Sequence, residues 1–182
     1  MKKIVIMKNL ILILITTFTL SCCSKDDKPT NPIDQLPPAT TTGANTAGCL
    51  VDGKAFLAKG YIPSGNLVCN YINGKDFSLI IAQKNDTQTI VVDVITYNQT
   101  LVVGEVCLLK EYGADSKFGE YTIFDDNTGR ISYKTNSTII GELKITYHNF
   151  DKAILSGTFW FDAINSDGKI VKIREGRFDM QY

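Results

Sequence analysis

The chain has 182 residues, of which 44% are hydrophobic and 21% charged, and its 19 basic residues balance its 19 acidic residues. A length of this order suits one globular domain with flanking segments rather than several domains. The zero net charge argues against nucleic acid as the main partner, because phosphate binding needs an excess of basic residues. His148 is the single histidine, so a histidine metal centre or a Ser-His-Asp triad is not expected.

The first 22 residues have the composition of a signal peptide. A basic start, with Lys2, Lys3 and Lys8, precedes the apolar run of residues 10–20. As a helix this run would span about 16 Å, well short of the roughly 30 Å hydrocarbon core of a bilayer. We therefore predict a cleaved signal peptide over residues 1–22 rather than a membrane-spanning helix.

The sequence Leu20-Ser21-Cys22-Cys23 resembles a bacterial lipobox, in which the cysteine after the cleavage site carries the lipid. Cleavage before Cys23 leaves leucine three positions upstream and small residues between, so Cys23 is the predicted lipidation site and Cys22 the alternative. The acyl chains would anchor the protein to a membrane.

The mature chain would then begin Cys-Ser-Lys-Asp-Asp, which resembles the surface-export signal of Bacteroidota lipoproteins. The alternative interpretation of this segment is a solvated charge run. The resemblance implies an outer-membrane protein exposed on the cell surface, or alternatively on the periplasmic face. Removal of residues 1–22 leaves 16 basic and 19 acidic residues, a net charge of −3. The lipid, rather than attraction to anionic lipid headgroups, is therefore the expected contact with the membrane.

Residues 23–47 are predicted to form a lipidated tether. They contain four of the five prolines together with many Thr, Asn and Asp residues, and few apolar side chains. Such a composition cannot build a buried face, so a flexible or polyproline-like segment is expected. About 24 extended residues would reach roughly 70 Å from the membrane.

Residues 48–182 are predicted to form one all-β domain. Val, Ile, Thr, Tyr and Phe recur in short alternating runs, separated every 8–14 residues by turn signals such as Asp167-Gly168. The pattern indicates about nine or ten antiparallel strands in a meander, closed as a lipocalin-like barrel or folded as a sandwich. The closing hairpin, residues 156–182, contains Gly176 in its second strand, where a β-bulge is expected.

Alternation along the strands assigns side chains to the inner or the outer face. Phe159 and Phe161 are predicted to point inward and Trp160 outward. The same rule places Leu143, Ile145 and Tyr147 inward and His148 outward. These bulky inward sets favour a filled interior and an external binding surface over a hollow, ligand-holding barrel.

Residues 36–56 and 156–182 are similar to an uncharacterised family of Bacteroidota lipoproteins, of the kind described as a domain of unknown function. The resemblance implies a secreted, all-β lipoprotein. It transfers no catalytic residue to this chain.

Three cysteines, Cys49, Cys69 and Cys107, lie beyond the lipobox. An odd number leaves at least one thiol unpaired within the chain. A Cys49–Cys69 disulfide is the candidate bridge, since its loop of about 20 residues would be stabilised by roughly 3 kcal/mol. Cys107 is expected to be a small buried side chain, and the alternative is that all three are buried thiols.

Trp160 is the candidate binding surface, because an outward tryptophan can stack on carbohydrate or act as a protein hot spot. The alternative is that the tether or a loop covers its ring and makes it structural. No catalytic residue, metal site or cofactor is predicted, and no Cys-x-x-Cys pair or nucleophile motif occurs. Four carboxylates could pair across strands for acid–base chemistry, but nothing separates them from ordinary solvent-facing positions: Asp93, Glu105, Glu120 and Glu142.

We therefore expect a membrane-anchored binding or accessory module rather than an enzyme. Its ligand would be an unknown protein or small molecule, with no nucleic acid and no cofactor involved. The alternative is a structural adaptor subunit of an outer-membrane assembly, and a hydrolase is a third, less favoured interpretation.

Overall fold

The computed structural model describes residues 31–182. The predicted signal peptide, the candidate lipidation sites Cys22 and Cys23, and the first part of the predicted tether lie outside these residues. The described residues contain one 3₁₀ helix, Pro32–Gln35, and no helix that is long and apolar enough to cross a membrane. The strands are β1 Thr46–Val51, β2 Lys54–Leu57, β3 Leu67–Ile72, β4 Asp76–Lys84, β5 Gln88–Thr96, β6 Val106–Leu109, β7 Lys117–Asp125, β8 Gly129–Lys134, β9 Gly141–Asn149, β10 Ile154–Ile164 and β11 Ile170–Gln181.

All eleven strands join one curled sheet that forms a half-barrel, and neighbouring strands pair antiparallel. The main order is β2-β1-β11-β10-β8-β7-β5-β4-β3, while β9 pairs with both β10 and β6. The prediction of an antiparallel all-β domain is confirmed, with eleven strands in a single sheet instead of two packed sheets. A backbone bridge between Lys59 and Gln83 links the segment after β2 to β4 and draws the two ends of the sheet together.

The inner faces of the strands meet in one continuous hydrophobic cluster. Phe161, Leu143 and Ile173 have 1% or less of their surface exposed, and Phe159 has 3%. Side chains of this size interdigitate at close to crystal density, so the cluster fills the concave side of the sheet. The alternation predicted for Phe159 and Phe161 is confirmed.

A β-bulge in β9 reverses the predicted facing of two side chains. Thr146 is the extra residue where β9 pairs with β10, so the alternation changes phase there. Tyr147 leaves the hydrophobic cluster, whereas the His148 ring packs on Tyr71 with centroids 5.3 Å apart. The Nε2 atom of His148 lies 2.9 Å from the hydroxyl oxygen of Tyr182. The prediction of an inward Tyr147 and an outward His148 is therefore wrong.

Residues 36–44, called the strap below, lie against the outer face of the sheet, where the sequence predicts a tether. Leu36 is buried, with 7% of its surface exposed. Gly48 makes room for the strap, since an added Cβ there would lie 3.1 Å from Pro37 and 3.3 Å from Leu36. Because Gly48 has no side chain, the strap can pack directly against the backbone of β1.

Asp179 of β11 fixes the far end of the strap. This carboxylate is 1% exposed, and it accepts hydrogen bonds from β10 and from the strap: Ser156 Oγ at 2.8 Å, Thr40 Oγ1 at 2.6 Å, Thr42 N at 2.9 Å, Gly43 N at 2.8 Å and Ala44 N at 3.2 Å. Burial alone would raise the pKa of Asp179, but the donated hydrogen bonds outweigh it and hold the pKa well below its ordinary value.

The Asp179→Asn substitution tests this anchor. An amide cannot accept the same set of hydrogen bonds, so donors would be left without partners, at an expected cost of about 3 kcal/mol in the free energy of unfolding. Because the folded pKa is lowered, the stabilisation by Asp179 should be present at neutral pH and be lost as the pH falls below about 4.

Urea denaturation measures the stability loss, and hydrogen exchange at the Thr42 and Gly43 amides reports release of the strap. The exposed Asp151→Asn substitution, in the turn between β9 and β10, is the matched control. Unchanged exchange at both amides would contradict the anchoring role.

Candidate functional site

Trp160 lies on the outer face of β10, as the alternation predicts, and its side chain is partly exposed. The ring borders an open cleft of about 290 Å³. Thr158 and Arg177 line the same cleft, and the strap contributes Ala39 to its wall. The strap therefore lies beside the indole and leaves part of its surface accessible.

A β-bulge in β11 shapes this cleft. Trp160 alone faces two residues of β11, Arg174 and Glu175. Glu175 has a φ of 54°, in the left-handed region, where side chains are uncommon. The strands also approach closely here, since an added Cβ on Gly176 would lie 2.5 Å from the carbonyl oxygen of Phe159. The sequence predicts a bulge at Gly176, and the structure places it at the two preceding residues, Arg174 and Glu175.

Charged neighbours hold the indole of Trp160 in one orientation. Its Nε1 donates a hydrogen bond to Oε2 of Glu142 at 3.1 Å. The guanidinium carbon of Arg174 lies 5.3 Å from the ring centroid, within the range of a cation–π contact. Arg174 is itself paired with Asp162 at 2.6 Å. The ring is therefore positioned before any ligand arrives.

The outer surface around Trp160 continues across β9 to β6. Leu108, Glu142 and Trp160 stand opposite one another on three neighbouring strands. On β6, Leu108 is 42% exposed and Val106 is 50% exposed. We call this surface the Trp160 face, and its outward side chains are Val106, Leu108, Glu142, Lys144, Thr158, Trp160, Arg174 and Arg177.

The predicted Cys49–Cys69 disulfide is absent from the structure, in which Cys49, Cys69 and Cys107 are all free and buried. Cys49 is on β1 and Cys69 on β3, two strands that are not neighbours in the sheet. Burial raises the pKa of Cys69 to about 12 and also raises the pKa values of Cys49 and Cys107. Protonated, buried thiols of this kind are unreactive, so all three serve as small core side chains.

The structure brings together two of the four carboxylates considered for acid–base chemistry. Asp93 of β5 stands directly opposite Glu120 of β7 on the outer face. Glu120 accepts hydrogen bonds from Arg130 at 2.9 Å and from Thr122 at 3.0 Å. One carboxylate oxygen of Asp93 is buried and has no hydrogen-bond partner among the described residues.

These environments shift the pKa values of the two carboxyl groups in opposite directions. Burial, and then the charge of Glu120, raise the pKa of Asp93 to about 7, although Arg130 opposes the shift. Burial would also raise the pKa of Glu120. Hydrogen bonds from Ser132, Thr122 and Arg130, together with the charge of Lys134, outweigh burial and lower the pKa of Glu120. Structural ion-pair networks perturb pKa values in the same way as active sites, so this pair does not by itself indicate catalysis.

Within residues 31–182, no group of three or more His, Cys, Asp or Glu side chains is arranged to hold a metal ion. No sequence pattern predicts the contact between Asp179 and its strap donors. Thr40 and Asp179 are 139 positions apart, and no periodic pattern links residues at such a separation. The one available signal was the acidic residue itself, flanked by the inward Phe178 and Met180 of the last strand.

The raised pKa of Asp93 predicts an unusual dependence of stability on pH. Folding favours the protonated form, so the contribution of Asp93 should be greatest near pH 4 and should be lost as the pH rises through about 7. The Asp93→Asn variant should lose this dependence and be more stable than the native chain at pH 8. Chemical denaturation between about pH 4 and about pH 8, which spans the ordinary and the raised pKa of Asp93, measures both effects. Parallel curves for the two proteins would contradict the raised pKa.

A match to a protein family covers the residues of the Trp160 face. A family model described as a domain of unknown function, DUF6252, matches residues 69–180. That range runs from β3 into β11 and includes Trp160, Glu120 and Asp179, whereas the strap and β1 precede it. No curated protein and no solved structure matches the chain. Because the match covers more than half of the sequence, the chain belongs to the DUF6252 family, a domain of unknown function.

Proposed function

We propose that this protein is a lipid-anchored outer-membrane lipoprotein whose β domain is a binding module. Cys23, or alternatively Cys22, would carry the lipid, and the segment after it would direct the protein to the cell surface. The proposal for the N-terminus rests on the lipobox-like sequence and on the basic and apolar run before it.

The observation that carries the binding role is the oriented, partly exposed Trp160 beside an open cleft. Tryptophan and arginine are enriched among residues that dominate binding energy, and here Trp160 lies next to Arg174 and Arg177. The hydrogen bond to Glu142 reduces the entropy that the indole would lose on binding. The filled concave side of the sheet supports a ligand on the outer face rather than inside a barrel.

A structural adaptor role is the alternative, and one observation favours it. Val106 and Leu108 expose about half of their surface on β6, which pairs with β9 at the margin of the sheet. A partly exposed apolar strand near the edge of a sheet suits docking on another protein. Under this alternative the Trp160 face would contact a subunit of a larger assembly.

The lipid anchor predicts a clear difference between two neighbouring cysteines. The Cys23→Ser variant should fail to incorporate radiolabelled palmitate and should move from the membrane to the soluble fraction, because it lacks the thiol that is predicted to accept the lipid. The Cys22→Ser variant is the matched control and should keep both the label and the membrane location. If the double variant stays membrane-bound, the anchor proposal fails.

Binding through the Trp160 face is tested with the single tryptophan of the chain, whose fluorescence therefore reports on one site. In one experiment, soluble glycans are titrated against the protein, and we expect a bound glycan to change the fluorescence emission of Trp160. In a second experiment, the protein is cross-linked on host cells, and we expect it to capture a protein of the cell envelope. The Trp160→Ala variant should weaken capture by roughly thirtyfold, the effect of losing a hot spot of about 2 kcal/mol.

The Phe124→Ala variant, which removes an exposed aromatic ring from β7, is the matched control and should bind normally. A glycan response would favour the binding module, and a captured protein sensitive to Trp160→Ala would favour the adaptor. Equal capture by the native chain and the Trp160→Ala variant would exclude this face from binding.

A further inference from the structure

The path of the strap determines which edge of the domain lies nearest to the N-terminal segment. The described chain starts at Asn31, and the 3₁₀ helix that follows contacts β2. Leu36 and the residues beside it line a groove with Ala58 and Leu67. Those two residues flank the loop of residues 59–66, which connects β2 to β3. The chain therefore reaches the domain beside the loop of residues 59–66.

The length of chain before the strap limits how far the domain can stand from a membrane. If Cys23 carries the lipid, only residues 23–30 lie between the lipid and the described chain. Eight extended residues reach at most roughly 28 Å, compared with the roughly 70 Å expected for a tether that continues to residue 47. The edge of the domain beside Asn31 must therefore stay close to the lipid headgroups.

That edge carries the most exposed large apolar side chain among the described residues. Tyr61, in the loop after β2, is 81% exposed. The backbone holds the loop firmly on the end of β4, because the Lys59 amide donates to Ala82 at 3.0 Å and the Lys84 amide donates to Lys59 at 2.9 Å. These bonds place the exposed Lys59 and Lys84 side by side next to Tyr61.

An exposed tyrosine with flanking lysines suits the headgroup region of a bilayer. The ring of tyrosine is apolar and its hydroxyl group is polar, which is why tyrosine collects at membrane–water boundaries. Lysines close to the surface are attracted to anionic headgroups. Asp34 and Asp86 are also exposed near this edge. The contact should therefore depend on the high local concentration that the anchor provides, and not on affinity of the free domain.

We propose that the anchored domain rests on the bilayer through this edge, with Tyr61, Lys59 and Lys84 against the headgroups. The inference rests on the lipid anchor proposed above. Under this proposal the lipid is joined to the domain by a short segment that orients the domain, rather than by a long flexible tether.

The experiment uses the full lipidated protein in vesicles that contain phosphatidylglycerol and phosphatidylcholine. An environment-sensitive fluorophore is attached through Tyr61→Cys or, as the control, through Asn73→Cys in the turn at the opposite end of β4. The nine residues of β4 separate these positions by about 30 Å. The buried native thiols, with their raised pKa values, should not take the label.

We expect lipids with quenching groups to quench the Tyr61→Cys probe about threefold more than the Asn73→Cys probe. Inserting about 16 Gly and Ser residues after Thr30 should reduce that difference, because the domain can then leave the surface. Vesicle flotation separates two kinds of failure. Protein that does not float has no lipid anchor, whereas floating protein with equally quenched probes overturns the membrane-facing edge alone.

Discussion

The buried carboxylate of Asp179 joins three stretches of chain: the last strand, the strand before it through Ser156, and the strap through Thr40 to Ala44. A carboxylate that is 1% exposed is stable only when donors surround it, so the strap must lie where these donors are supplied. That position brings Ala39 to the wall of the cleft beside Trp160. The same contact fixes the route by which the chain reaches the domain.

Local irregularities in the strands determine what the outer face presents. In β11, the bulge at Arg174 and Glu175 places two residues opposite Trp160 and gives the indole its charged neighbours. In β9, the extra residue Thr146 turns His148 toward the core. A bulge shifts the alternation by one residue, so every side chain beyond it changes face. Because of these two bulges, the side chains that face outward differ from those that regular alternation along the sequence predicts.

The predictable part of the candidate site was the position of Trp160, since period-two alternation holds on either side of it in β10. Its partners were not predictable, because Glu142 and Arg174 come from two other strands whose register depends on pairing. The prediction of a Cys49–Cys69 disulfide was wrong because it also depended on the strand order, which local sequence does not give. Loop length favours the bond, whereas the strand order places the two cysteines on strands that do not adjoin.

The sequence by itself determined the all-β class, the strand-forming runs, the hairpin that ends the chain and a bulge next to Gly176, because these follow from local alternation and turn chemistry. It also limited the chemistry, through a single histidine and balanced charge. Only the tertiary structure decided that Asp179 captures the strap, that Asp93 faces Glu120, and that one curled sheet forms instead of two. Those features join residues distant in the chain, and the free energy that selects such contacts comes from burial and register, which no local window contains.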